Sequence, residues 1–355
     1  MKKKLGSILI LIFLLGQGVV MGTDNRDICD TPFGVLDFLH WNHNWNNFHY
    51  PDTDSRLLSV DKMVEAGVSI VRLDFVWQEI EPQEGIWNFQ LYDELVEMLV
   101  RRNIQILGLL DYSADWASSC GRWNCPPKDN LLFVQFAQKV VNRYKDRIRY
   151  WEIWNEPDSN VYWQPQDGLV KYVGLLKDVY CAIKQEDPNC FVLNGGLANG
   201  LASVNRLYDA GAAGYFDIMN VHLFESPLDP LALKRAQAFL ERVHKIMQRN
   251  KDGHKKIWIT ELGAPGVRRG LRVDNWWLGK NPNEHQQAQW VRLVFTKLLD
   301  IKYVEKIFWA FWRDTNGHWK NGIDYFGLLR NDFSVKESFI AYKEASRQWR
   351  LKLNK

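Results

Sequence analysis

The sequence predicts an α/β protein folded as a single-domain (β/α)8 barrel, and three observations carry that prediction. Eight short apolar runs alternate with longer amphipathic ones. The short runs are too continuously apolar to show a face to water, as expected of parallel strands covered by helices. No glycine-rich phosphate loop follows an early strand, as a doubly wound open sheet would want. With 355 residues and 46% hydrophobic content, the chain is long enough for one barrel without division into two domains.

The expected strands fall at 33–39, 69–75, 104–110, 149–154, 190–194, 216–223, 256–260 and 306–312. Between them, helices announce their ends. Thr53 or Asp54 is placed to cap a helix that stops at Gly67. Leu91, Leu95, Val96 and Leu99 form one apolar face, as do Phe133, Phe136, Val140 and Tyr144, and then Val173, Leu176 and Tyr180 before Pro188. Four further helices are expected at 202–209, 230–249, 284–300 and 336–349.

Residues 1–22 read as a signal peptide: Lys2, Lys3 and Lys4 precede an apolar run from Leu5 to Val20, and small residues follow. Gly16, Gln17 and Gly18 interrupt that run and leave it short of the ~20 residues a spanning helix needs. The mature chain, 23–355, is then expected to be secreted or periplasmic, and monomeric. The formal charge is +3, and without the three leading lysines 42 basic residues face 42 acidic ones. Such neutrality offers nothing to nucleic acid or to an anionic membrane. Of five cysteines, Cys120 and Cys125 flank a tight loop, and Cys181 and Cys190 are placed to bridge a helix to the next strand. Each pair is either a disulfide or two thiols; Cys29 is left over.

A barrel puts its chemistry at the carboxyl ends of its strands. Polar residues collect there: His40; Arg72, Asp74 and Trp77; Asp111; Asn155 and Glu156; His222; Thr260 and Glu261; Trp312, Arg313 and Asp314. Only Glu156 and Glu261 place a glutamate at a strand tip. Strands four and seven lie across the barrel from one another, so the two carboxyls point toward each other over its mouth. That is the arrangement of glycoside hydrolysis, one carboxyl protonating the departing oxygen while the other attacks carbon or activates water. Eight histidines show no His-x-His on any strand, so no metal and no cofactor is expected.

The pattern Gly67, Val71-Arg72, Trp77, Ile80-Glu81-Pro82, Gly85 and Trp87-Asn88-Phe89, then Trp151 to Pro157 and Ile259-Thr260-Glu261, resembles the retaining β-glycosidases of clan A. Within the clan it is most similar to family 39, with family 5 near. The resemblance runs from about Phe33 to Trp349. It implies a polysaccharide or oligosaccharide substrate, Glu156 as general acid/base and Glu261 as nucleophile. It further implies that Asn155 meets the sugar 2-hydroxyl, Arg72 holds the nucleophile charged and Trp312 forms a sugar platform. His222, His40, Asp111 and Trp77 are the other expected substrate contacts.

The chain departs from the clan at His222-Leu223-Phe224, where clan members often carry His-x-Tyr. Support for the nucleophile then falls to another group such as Tyr112, or is absent. Glu81 is expected to order its loop or pair on the surface, and Glu152 to pair with Arg72. Of the tryptophans, Trp151, Trp154, Trp258 and Trp309 are expected in the core. Trp41, Trp45, Trp77, Trp116, Trp123, Trp163, Trp276, Trp277 and Trp319 lie in strand-end loops, and a third to a half of them are expected to face sugar. Arg268, Arg269 and Arg272 suit an acidic sugar or are merely solvated. A non-catalytic carbohydrate-binding protein on the same barrel is the alternative reading.

Overall fold

The computed structural model describes residues 30–353 apart from 166–167 and 277–278; the expected signal peptide, Cys29 and Trp277 lie outside the described residues. Eight parallel strands form one sheet: β1 (Phe33–Leu36), β2 (Ile70–Val76), β3 (Gln105–Asp111), β4 (Tyr150–Ile153), β5 (Phe191–Asn194), β6 (Met219–Leu223), β7 (Ile257–Leu262) and β8 (Val304–Ala310). The sheet runs β5-β4-β3-β2-β1-β8-β7-β6. Its two ends meet through the Leu193–Ile218 and Leu197–Val221 bridges. This is the expected (β/α)8 barrel.

Around it lie α1 (Thr53–Ala66), α2 (Trp77–Ile80), α3 (Gln90–Val100), α4 (Asn130–Tyr144), α5 (Gly168–Glu186), α6 (Gly200–Asp209), α7 (Ala232–Arg249), α8 (Glu284–Lys297) and α9 (Glu337–Leu353). The cap of α1 is Asp52, not Thr53 or Asp54. Its carboxylate accepts the Ser55 N–H at 2.7 Å, and Gly67 closes the helix at φ 79°. The single-turn α2 was not foreseen. Strand β1 stops three residues short of its expected end because Asp37 interrupts the ladder. Its carboxylate accepts the Phe38 N–H at 2.9 Å and the Tyr50 hydroxyl at 2.7 Å. Among the described residues, no helix is long and apolar enough to cross a membrane.

Alternation along the strands builds the interior in storeys, since residues two apart point to the same side. Ile70, Leu107, Leu193, Ile218, Trp258 and Phe308 form an apolar floor inside the barrel. Gly34 makes room for it, because a Cβ there would lie 2.6 Å from the Phe308 ring. Two residues further along come Arg72, Glu152, Asn220 and Thr260, each buried. This polar storey sits directly beneath the mouth. The larger core lies between barrel and helices, where Trp151, Trp154 and Trp309 pack as expected.

Candidate active site

Strand β4 ends in irregular backbone that brings Glu156 into the mouth. Trp154 and Glu156 adopt left-handed φ values of 66° and 42°, unusual for residues with a Cβ. Such local strain costs on the order of 1 kcal/mol or more per residue, and it gathers at functional sites. Across the barrel, β7 carries an irregularity against β6, so that Val221 pairs with Ile259 while His222 pairs with Glu261. Thr260 is the extra residue. The bulge lets Thr260 bond inside the barrel while Glu261 still reaches the mouth, which strict alternation would forbid.

Arg72 ties the two tips together. Its Nε and Nη2 donate to the Glu152 carboxylate at 2.7 and 2.9 Å, Nη1 to Glu261 Oε1 at 2.8 Å, and Nη2 also to Asn155 Oδ1 at 2.8 Å. Glu152 is fully buried and also accepts the Gly196 N–H at 3.0 Å. Arg72 is therefore held beneath the mouth by a buried partner and offers one arm to Glu261. Glu152 takes the structural pairing role expected of it.

His222 bridges the glutamates. Its Nδ1 lies 2.7 Å from Glu156 Oε1 and 3.8 Å from Glu261 Oε2, and Nε2 lies 3.1 Å from Thr260 Oγ1. Burial pushes the Glu156 carboxyl up to about 8, with Asp158 and Glu152 adding to the rise and Arg72 opposing it. Burial also raises Glu261, against the pull of His222 and Arg72. Desolvation is the larger effect, and Arg72 pulls against it. His222 is lowered by its own burial.

One donor atom from each of Glu156, His222 and Glu261 lies within 4.8 Å of the other two, a grouping compact enough to surround a cation. Both ring nitrogens of His222, however, are already engaged by Thr260 and Glu156. The glutamates open into a cleft of about 810 Å³, walled by Tyr162, Asn199, Phe224, Phe311, Trp319 and Phe326.

A family profile described as the glycosyl hydrolase catalytic core matches residues 123–342, more than half of the chain. The chain belongs to the glycosyl hydrolase catalytic core family. A second profile, described as beta-galactosidase, matches residues 45–109. Among curated relatives, a coniferin beta-glucosidase of Pinus contorta is 24% identical over 161 residues, 43% of this chain and 30% of its own length. A probable inactive beta-glucosidase 14 of Oryza sativa is 23% identical over 199 residues, covering 51% and 38%. The chain thus spans well under half of each of these relatives.

Among solved structures, a family 39 glycoside hydrolase from Bacteroides cellulosilyticus superposes with a TM-score of 0.68 at 22% identity, covering 89% of this chain and 63% of the other. A family 5 mannosidase from Rhizomucor miehei gives 0.63 at 16%, covering 88% and 92%. The barrel is the one shared by families 39 and 5 of clan A, as the sequence motifs implied.

Within this glycosyl hydrolase core, Glu156, Glu261 and His222 line the cleft and Arg72 and Asn155 are bonded to one another beside them, while the other four expected substrate contacts lie apart from this group. Trp77 is 0% exposed; it packs against Trp116, Phe133 and Phe136 and donates to Glu81 at 2.8 Å. It belongs to the core, and Glu81, which also accepts the Gly85 N–H, orders the loop. Trp312 is likewise 0% exposed and faces Phe339 of α9, so the aromatic wall comes from Phe311 and Trp319 instead. His40 and Asp111 are buried on the β1–β3 side near Asp74. Burial drives the His40 imidazole down to about 3 and the Asp111 carboxyl well up.

Tyr112 does not replace the missing tyrosine: its ring meets Trp154 edge-on at 5.4 Å, and Glu261 is held by Arg72. The sequence reading missed Tyr162, whose ionisation both glutamates oppose and which lines the cleft. Its only signal was an aromatic pair six residues past Glu156. Trp45 and Trp123 are exposed, whereas Trp41, Trp163 and Trp276 are buried. Arg268, Arg269 and Arg272 line a separate hollow of about 480 Å³. Cys120 and Cys125 form a disulfide, while Cys181 and Cys190 are free thiols.

Proposed function

We propose that this chain is an exported, monomeric retaining β-glycosidase acting on a polysaccharide or oligosaccharide. One observation carries the reading: carboxylate oxygens of Glu156 and Glu261 lie within 4.8 Å of each other. Retaining pairs stand ~5–5.5 Å apart, whereas inverting pairs need ~6.5–9.5 Å to admit a water between them. The short gap favours direct attack on carbon.

In the first step Glu156, kept protonated at neutral pH by burial, gives its proton to the departing oxygen. Glu261, hydrogen-bonded by Arg72, attacks the anomeric carbon and forms a glycosyl ester. In the second, the Glu156 carboxylate takes a proton from water, and the resulting hydroxide equivalent releases the sugar from Glu261. Asn155, whose Oδ1 is held by Arg72, is placed to meet a hydroxyl of the sugar. Phe311 and Trp319 offer apolar faces for its ring. Export rests on the lysine-led apolar run at 5–20.

The test is sugar release from β-glucans, mannans, xylans, galactans and uronic-acid polymers, with products sized by mass spectrometry and Glu261→Gln run beside the native protein. Release abolished by Glu261→Gln is the expected result. No release from any polymer, together with tight binding to one of them, would instead make this a carbohydrate-binding protein.

A further inference from the structure

Hydrogen-bond polarity within the barrel can be followed from the backbone of Asn194 and Asn220 to Glu156. The Asn220 N–H donates to Asn194 Oδ1 at 2.9 Å, and Asn194 Nδ2 donates to the Asn220 carbonyl at 3.0 Å, which fixes the Asn194 amide. Asn220 Nδ2 donates to the Asn194 carbonyl at 3.2 Å, so Asn220 presents Oδ1 to Thr260 Oγ1 at 2.8 Å. An amide oxygen only accepts, and a threonine hydroxyl has one proton to give. Thr260 therefore donates to Asn220. Toward His222 Nε2, 3.1 Å away, it has only a lone pair. The ring must therefore carry a proton on Nε2, and in the neutral imidazole that burial favours, Nδ1 turns a lone pair toward Glu156 Oε1 at 2.7 Å.

We propose that Asn220 and Thr260 are positioning residues that lock His222 in the Nε2–H tautomer and thereby keep Glu156 in its acid form between turnovers. The proposal rests on the glycosidase reading for its catalytic meaning and on hydrogen-bond valence for its structure. Asn194, Asn220 and Thr260 are 0% exposed, as is the His222 side chain, so no solvent stands ready to replace a lost partner.

A neutral Nε2–H imidazole facing a Glu156 carboxylate sets two lone pairs 2.7 Å apart. Ionising Glu156 comfortably would require a proton on Nδ1, either as a second proton, giving an imidazolium that burial opposes, or by moving the one on Nε2. In the latter case Thr260 would have to reverse and strand Asn220 Oδ1 without a donor, which a buried acceptor resists. The chain of bonds thus favours the protonated carboxyl. After Glu156 has given its proton away, the same opposing lone pair makes the carboxylate a stronger base for the water of the second step.

The other charged groups facing this pair are Arg72 from β2, Glu152 from β4, Asp158 and Tyr162 from the loop after β4, and Glu261 from β7. None of them reaches Nε2, so none substitutes for Thr260. Burial shifts His222 down and Glu156 up, both toward the neutral pair.

Nitrogen-15 spectra of histidine-labelled protein read the tautomer directly, with the His222 signals identified by their loss in His222→Asn. The native protein is expected to show Nε2–H. Thr260→Val and Asn220→Leu each free the ring to take Nδ1–H, and the basic limb of the kcat/KM profile should move toward acid by about one pH unit or more. Thr260→Ser keeps the hydroxyl and should restore both readings. A native ring protonated on Nδ1, alone or together with Nε2, or a Thr260→Val protein with unchanged tautomer and unchanged basic limb, overturns the relay. If no glycoside is hydrolysed, the native spectrum still decides the relay, and only the glycosidase reading fails.

Discussion

Arg72 sits at 1% exposure with four hydrogen bonds to three side chains, and two of those bonds go to Glu152. A buried cation keeps its place only while its charge is matched. Glu152→Ala would leave Arg72 with Glu261 as its remaining carboxylate partner and remove the acceptor of the Gly196 N–H. It is expected to destabilise the fold by ~3–5 kcal/mol, measured by denaturant unfolding. Glu152→Gln, which keeps one acceptor, should lose less. Equal losses for the two variants would mean that the charge of Glu152 matters little.

At this scale the sequence was half legible. A glutamate at a strand tip costs free energy unless used, which singled out Glu156 and Glu261. Side-chain direction after the last paired residue was not legible. Trp312 and Trp77 stand in the right stretches but turn toward α9 and α4, because the chain leaves the ladder before it reaches them.

Elements set how closely the groups approach. The β7 bulge and the left-handed turn of β4 create the His222–Glu156 contact, and Gly196 in the loop after β5 leaves room for the ring. A Cβ on Gly196 would lie 2.0 Å from His222 Nε2. Gly196→Ala should therefore displace the imidazole, and a shift of about 1 Å in a catalytic group costs on the order of 10²-fold in rate. The check is kcat/KM on an aryl glycoside, with circular dichroism showing the barrel intact. Near-native activity would mean that the ring position is unimportant.

Strand and helix order was legible from alternation and caps, since each run has a clear period and stop signal. The bulge was not, because Ile259-Thr260-Glu261 reads as uninterrupted strand. Nor was the end of β1, where the Asp37 side chain competes for backbone bonds.

Over the whole molecule, burial of carboxyls and of histidines pulls stability in opposite directions. Burial raises Glu79 and Asp314 to about 7 and Glu156 to about 8. In the unfolded chain such groups titrate near 4. The folded state then binds more protons than the unfolded one, so these groups stabilise at low pH and lose that contribution as pH rises to about 8. Burial lowers His40 to about 3 and His49 to about 2, which stabilises above pH ~6.5 and is lost as pH falls. Between pH ~6.5 and 8 the raised carboxyls outweigh the histidines, whose unfolded forms lose their last protons there. Melting temperature should fall across that window. Glu156→Gln should flatten the fall and be more stable than the native protein at pH 8. A melting temperature that rises from pH 6.5 to 8 would contradict the assignment. The sequence foretold the barrel but not this pattern, because burial of a single carboxyl depends on the loops that close over it.

Chemical rescue tests the division of labour between the two glutamates most directly. With an aryl β-glycoside and azide, Glu156→Ala should yield the β-glycosyl azide, since azide takes the place of water on the glycosyl ester. Glu261→Ala should yield the α-azide, since azide then replaces the nucleophile. The reversed pattern would exchange the two roles, and no azide adduct from either variant would contradict the double-displacement account.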